Sequence, residues 1–180
     1  MRLSGIDDRR SPASPDWRNS RNRKGLVNMG LFSENLPLII AVLGVAVSVL
    51  FSGAGSARGV SMTGKAAAAL ISEQPEKFGQ SLVLQMMSGT QGLYGFIVGF
   101  LIFMNIDDSL VIADALKYLG AGAVMGVAGF LTALQQAATS TAGIQILAKK
   151  PEHSTKGVLY SAMIETYAIF AFVIAVLIVL

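Results

Sequence analysis

The sequence contains no cysteine, which excludes disulfide staples and thiolate metal sites and leaves the compartment open. Charge is the second scarcity. Asp, Glu, Lys and Arg make up 14% of the 180 residues, where a soluble domain carries about 25%. Proline occupies five positions, too few for a proline-rich or collagen-like chain. No G-x-x-x-x-G-K-[ST] phosphate loop occurs, so nucleotide hydrolysis of that kind is not performed by this chain. What is abundant is aliphatic: 53% of residues are hydrophobic and 19 are glycine. That composition belongs to a protein that lives in a bilayer.

The few charges are unevenly placed. Residues 1–28 hold seven basic side chains against three acidic ones, and the rest of the chain holds seven against eight. The excess positive charge therefore belongs to the tail, and no nucleic-acid partner is expected for the folded part. The tail has no apolar core of its own, so it is not a secretory signal. Met29-Gly30-Leu31-Phe32 reads as a natural start. Residues 1–28 are expected to be a basic disordered extension, from an upstream start or a cloning-derived addition or as a native tail.

A membrane-crossing helix needs roughly 20 apolar residues. Four stretches qualify: about 36–57 with a small-residue continuation to 70, about 82–104, about 111–134 continuing to 148, and about 158–180. Polar turns centred on Pro75-Glu76 and Pro151-Glu152 join the first pair and the last pair, and Asn105-Ile106-Asp107-Asp108-Ser109 joins the middle. A shift of 76 positions superimposes the halves: Gly44 on Gly120, Gly53 on Gly129, Pro75-Glu76 on Pro151-Glu152, Met87 on Met163, Phe96 on Phe172. The expected fold is all-α, with four transmembrane helices as two tandem-repeated hairpins in the same sense, residues 29–104 and 105–180. Lys77, Lys149, Lys150 and Lys156 flank the Pro-Glu turns, whereas the middle loop carries Asp107 and Asp108. Positive charge stays in the cytoplasm, so the Pro-Glu loops are expected there and both termini opposite. The basic tail argues the other way unless it is foreign to the fold.

The first and third spans are rich in small residues, among them Gly44, Gly53, Gly55, Gly120, Gly122, Gly126 and Gly129. Small residues let helix backbones approach closely in lipid, which suggests an inner layer of two glycine-lined helices and an outer layer of two bulkier ones.

Within the fourth span stands one carboxylate, Glu165. Thirteen residues separate it from Glu152, roughly 20 Å of helix, so it lies near mid-depth, where a charge is costly unless paired or neutralised. Met87, Thr90, Gln91 and Tyr94 fall at i, i+3, i+4 and i+7 of the second span and share one helix face. Gln136 lies fifteen residues before Pro151 and Glu165 fourteen after, at matching depth. A carboxylate, amide oxygens and a hydroxyl make an oxygen cage, which suits a hard cation. A proton would need only the carboxylate, so Na+ is favoured over H+. The plain alternative is a hydrogen-bond network that only glues helices. In the first hairpin the position matching Glu165 is Gly89, so the doubled chain carries one carboxylate.

Three segments resemble a known family: Leu84-Gln85-Met86-Met87-Ser88-Gly89-Thr90-Gln91-Gly92-Leu93-Tyr94-Gly95-Phe96, Ala142 to Glu152, and Met163-Ile164-Glu165-Thr166-Tyr167-Ala168-Ile169. They are similar to the 16-kDa-type proteolipids of V-type ATPases and ATP synthases, in the bacterial Na+-translocating subunit K form, over residues 29–180. The resemblance implies a non-catalytic rotor protein: identical copies form a ring in the bacterial plasma membrane, bathed in lipid and turned by an ATP-driven head through central-stalk subunits at the cytoplasmic loops. It implies no organic cofactor. It carries over Na+ (alternatively H+) at Glu165, Gln136, Gln91, Thr90 and the Met87 backbone carbonyl, with Tyr94 locking Glu165 by a hydrogen bond. It implies a stator arginine on another subunit. The run Gln135-Gln136-Ala137-Ala138 departs from the family pattern. Two other readings remain at this point, a small secondary transporter or channel and a purely structural scaffold; the parallel repeat, the lone carboxylate and the expectation of unbroken helices weigh against the transporter.

Overall fold

The computed structural model describes residues 16–180, so the expected extension over 1–15 lies outside the described residues. Among those described there is no strand. The elements are α1 (Asp16–Glu73), a 3-10 turn Pro75–Lys77, α2 (Phe78–Met87), α3 (Thr90–Met104), α4 (Ile112–Lys149), a 3-10 turn Pro151–His153 and α5 (Ser154–Val179). The chain divides into two units, residues 1–36 and 37–180.

In the first unit the expectation of a disordered extension is corrected over residues 16–28, because the described chain is helical there. Local chemistry gives the reason. The arginines and lysine of this stretch are good helix formers.

The second unit holds the hairpins. Helices 32–73, 112–149 and 151–179 are each long and apolar enough to cross a membrane, and α2 with its preceding turn and α3 together make a fourth span bent by 42°. The four-helix expectation holds; the expectation that no span is broken does not. The break falls at Ser88 and Gly89. Glycine is a poor helix former, and the turn finds its own partners: Gly89 N donates to Met86 O at 2.9 Å, Ser88 Oγ to Gln85 O at 3.4 Å and Thr90 Oγ1 to Met87 O at 3.1 Å. Such internal partners make a break tolerable at membrane depth.

α1 and α4 run parallel, their contacts climbing together from Gly44 beside Tyr118, through Gly55 beside Phe130, to Thr63 beside Ala137. A Cβ on Gly44 would lie 2.6 Å from Tyr118 O, and one on Gly126 would lie 2.6 Å from Val47 O. Only glycine permits that approach. Ser48, Ser52 and Ser56, one helical turn apart and buried, fasten α1 to its neighbours. Ser48 Oγ donates to Gly95 O (2.8 Å), Ser52 Oγ to Met125 O (3.1 Å), and Ser56 Oγ accepts from Gly92 N (2.7 Å). This seryl stripe was legible as an i, i+4, i+8 spacing but is hidden among small apolar residues.

Two apolar clusters cap the unit. Val98, Ile102, Ala121, Met125, Ala175 and Val179 gather toward the middle loop, and Ala67, Leu70, Leu84, Ile144 and Leu147 toward the Pro-Glu turns. Between them lies a polar layer of Gln91, Gln136, Ser140 and Ser161, all buried. Outward, Phe96, Phe100, Phe103, Phe170, Ile174 and Leu177 are exposed, as a lipid-facing surface requires.

The Pro-Glu turns repeat in backbone detail. Gln74 has φ −135° and ψ 68°, and Lys150 has φ −144° and ψ 72°. Both turns are closed by the same pair of hydrogen bonds, Gln74 N to Leu70 O and Lys77 N to Gln74 O in one, Lys150 N to Ile146 O and His153 N to Lys150 O in the other.

Candidate functional site

Glu165 lies on the face of α5 that meets α3 and α4, and is half-buried. Its Oε1 accepts a hydrogen bond from the Tyr94 hydroxyl at 2.6 Å, and its Oε2 accepts one from Gln136 Nε2 at 3.3 Å. Gln136 Nε2 also reaches Ser161 O at 3.3 Å, one turn before Glu165. Gln91 Nε2 donates to Gln136 Oε1. Two amides and a phenol from α3 and α4 thus converge on the carboxylate of α5.

Each position has a local cause. Gln91 and Tyr94 open α3 just after the break, so the bend turns their side chains toward α4 and α5. Gln136 is fully buried while Gln135 is exposed, which settles which of the two adjacent glutamines faces inward. Tyr94 is held by Phe172, ring centroids 5.2 Å apart, a typical aromatic pair distance. Ser140 and Ser161 hydroxyls meet at 2.6 Å below the site. That pair escaped the sequence reading; its signal was a serine one turn after Gln136 and another one turn before Glu165.

The structure therefore gathers Glu165, Gln136, Gln91 and Tyr94. Thr90, next to Gln91, is bonded to Met87 O at the break and to the Tyr94 side chain, whereas Met87 lies before the break and not on one continuous helix face with them as the spacing predicts.

The groups touching Glu165 are neutral. One buried side-chain atom among the described residues has no hydrogen-bond partner, and it is Gln91 Oε1. A buried acceptor left unmade costs about 1–3 kcal/mol, so its place in this layer suits a donor or a cation. Among the described residues no cluster of three His, Cys, Asp or Glu side chains exists. A cation held here would be held by one carboxylate and neutral oxygens, a donor set for a hard ion of low charge.

Comparison with known proteins gives the same geography. Residues 43–102 and 119–178 each match the model of the ATP synthase C subunit family. The second match begins 76 positions after the first, the offset of the repeat. The V-type sodium ATPase subunit K of Enterococcus hirae is 53% identical over 150 residues, covering 83% of this chain and 96% of that protein. The A-type ATP synthase subunit K of Methanocaldococcus jannaschii is 35% identical over 141 residues, 78% of this chain and 62% of that protein. The 16 kDa proteolipid of the human V-type proton ATPase is 26% identical over 137 residues, 76% of this chain and 88% of that protein. Gln91, Tyr94, Gln136 and Glu165 all fall inside the matched segments, and the chain belongs to the ATP synthase C subunit family, the ring-forming membrane proteolipids, with two copies of the family unit in tandem.

Proposed function

We propose that this ring protein carries Na+ across the membrane, one ion per chain, in a cage of Glu165, Gln136, Gln91, Thr90 and the Met87 carbonyl. The observation that carries the reading is the half-buried Glu165, contacted by neutral donors, beside the unpartnered Gln91 Oε1. The cation is cargo. Bound, it cancels the carboxylate charge and makes passage past lipid tolerable; an empty ionised site could not make that passage cheaply. The break at Ser88–Gly89 loosens the α-helical ladder where Met87 O and Thr90 Oγ1 meet, which suits main-chain and hydroxyl ligands. Tyr94 holds the carboxylate toward the cage.

The rest of the cycle belongs to other subunits. A stator arginine would draw Glu165 open and release the ion into a half-channel, and central-stalk subunits would bind the Pro-Glu loops on the cytoplasmic side. ATP is made or consumed elsewhere. The plasma membrane of a bacterium is the expected setting, with both termini facing away from the cytoplasm. Proton transport is the second reading, because Tyr94 and Glu165 alone can hold a protonated carboxyl.

Protection from a hydrophobic carbodiimide separates the two. At fixed pH, Na+ should shield Glu165 from modification. Equal labelling with and without Na+ would reject the sodium reading and favour the proton.

A further inference from the structure

Below the carboxylate, α4 and α5 meet in a ladder of rungs about one helical turn apart. At the top Gln136 Nε2 donates to Glu165 Oε2 at 3.3 Å. One turn down, the hydroxyls of Ser140 and Ser161 meet at 2.6 Å, and both side chains are fully buried. Below them Gly143 and Gly157 lie backbone to backbone, and a Cβ on Gly157 would come 2.8 Å from Gly143 Cα. The side chains lengthen from rung to rung: glycine on glycine, serine on serine, then glutamine on glutamate.

The middle rung is tied to the upper one through a carbonyl. Ser161 O accepts from Gln136 Nε2 at 3.3 Å. It also lies inside the unbroken helix α5, where the residue four positions on, Glu165, donates its backbone N–H to it. A backbone carbonyl only accepts, so this contact decides which way the Gln136 amide points. Its nitrogen faces Ser161 O and the carboxylate, and its oxygen faces Gln91 and the cage. The reversed amide would set oxygen against oxygen at both. The first hairpin shows what is particular to the second. Shifted by 76 residues, the same rungs are Val60 and Gly89, Gly64 and Gln85, Ala67 and Ser81. The middle one is a glutamine side chain laid across a glycine, where an added Cβ would strike the amide. The hydroxyl pair stands in the hairpin that carries the carboxylate, and packing alone takes its place in the other.

We propose that Ser140 and Ser161 are positioning residues of the cation site: their hydroxyl bond fixes α5 against α4, so that Ser161 O orients the Gln136 amide and turns Gln136 Oε1 toward the ion. Neither serine touches the ion. Their effect passes through Gln136 and vanishes where that amide is removed. This role rests on the reading of the layer as a Na+ cage and adds two residues from outside it.

Ser140→Ala and Ser161→Ala break the same bond from opposite helices. In membranes containing the assembled complex, each should raise the Na+ concentration that half-protects Glu165 from carbodiimide by about fivefold, the net effect of one hydrogen bond. The double variant should be no weaker than either single one, because the same bond is lost in all three. In a Gln136→Ala chain, adding Ser140→Ala should change half-protection by less than about twofold. A pair that only fastened helices would behave otherwise. The ring would dissociate at lower temperature while Na+ protection stayed native, or the fivefold loss would persist without Gln136. Either result would overturn the positioning role, as would failure of both single variants to assemble. Absence of Na+ protection in the native chain would instead overturn the cage itself, and the role of the serines with it.

Discussion

The two outer limbs of the molecule began as one design and differ at one level of the bilayer. Both follow a Pro-Glu turn of the same backbone form and both pack on a glycine-lined inner helix. α5 runs unbroken for 26 residues through Ile164 and Glu165. The first limb stops at Met87 and resumes at Thr90 with a 42° bend, and Gly89 stands where the second limb has its glutamate. The lesson is a division of labour. One copy keeps the charge on an unbroken helix; the other has a break in place of the charge and sets the neutral side chains of Gln91 and Tyr94 at its edge. A site with a single carboxylate can then be satisfied by neutral groups without a second buried charge, which would repel the first.

The largest effect should come from removing the one feature the first limb lacks. Glu165→Gln should abolish Na+ transport by the reconstituted complex, reducing isotope uptake to the background of empty vesicles, while the ring still assembles. Persistent uptake would mean the carboxylate is not where the limbs differ in function.

Next is the neutral chain that joins the limbs. Gln136→Ala deletes the amide between Gln91 and Glu165. Losing a buried polar partner costs about 1–3 kcal/mol, or about 5- to 150-fold in Na+ affinity by carbodiimide protection. Gln135→Ala, on the exposed neighbour, should change affinity less than about twofold. Equal effects would mean that the wrong glutamine is assigned to the cage.

A third contrast concerns packing. Gly44→Ala would drive a methyl toward Tyr118 O, 2.6 Å away, and overpacking of this kind costs about 1–3 kcal/mol. Gly79, at the start of the broken limb where the second copy has Thr155, faces open space. Gly79→Ala should be neutral or slightly stabilising, because alanine is the better helix former. Thermal dissociation of the ring, followed on gels, should separate the two variants.

How much of this the sequence disclosed depends on the scale of the signal. Four spans, the repeat and the inward depth of Glu165 follow from hydropathy and offset, which are properties of many residues at once. The break at Ser88–Gly89 does not, because one glycine in an apolar run is common and the partners that make the break tolerable, such as the Ser56 hydroxyl that accepts from Gly92 N, come from another helix. The helix over 16–28 was missed for a related reason: a basic segment outside the membrane carries no hydropathy signal, and charge was read as disorder although those residues favour helix. The lining serines Ser140 and Ser161 were also passed over, since small hydroxyl residues look the same in a sequence whether they pack or bond.

The mildest of the predicted lesions around Glu165 tests whether the limbs are coupled at all. Tyr94 reaches from the broken limb to the carboxylate of the unbroken one. Tyr94→Phe keeps the ring against Phe172 and deletes only the hydroxyl, a hydrogen bond worth about 1 kcal/mol net, or about fivefold in affinity. Labelling by carbodiimide needs the protonated carboxyl, and Na+ competes with that proton. The Na+ needed for half-protection should therefore rise as pH falls in the native chain, with the same slope in Tyr94→Phe but displaced to higher Na+ throughout. A displaced parallel curve means that the hydroxyl helps hold the carboxylate in the cage and leaves the competition between proton and cation unaltered. An unchanged curve would mean that the two limbs meet at Glu165 without either one feeling the other.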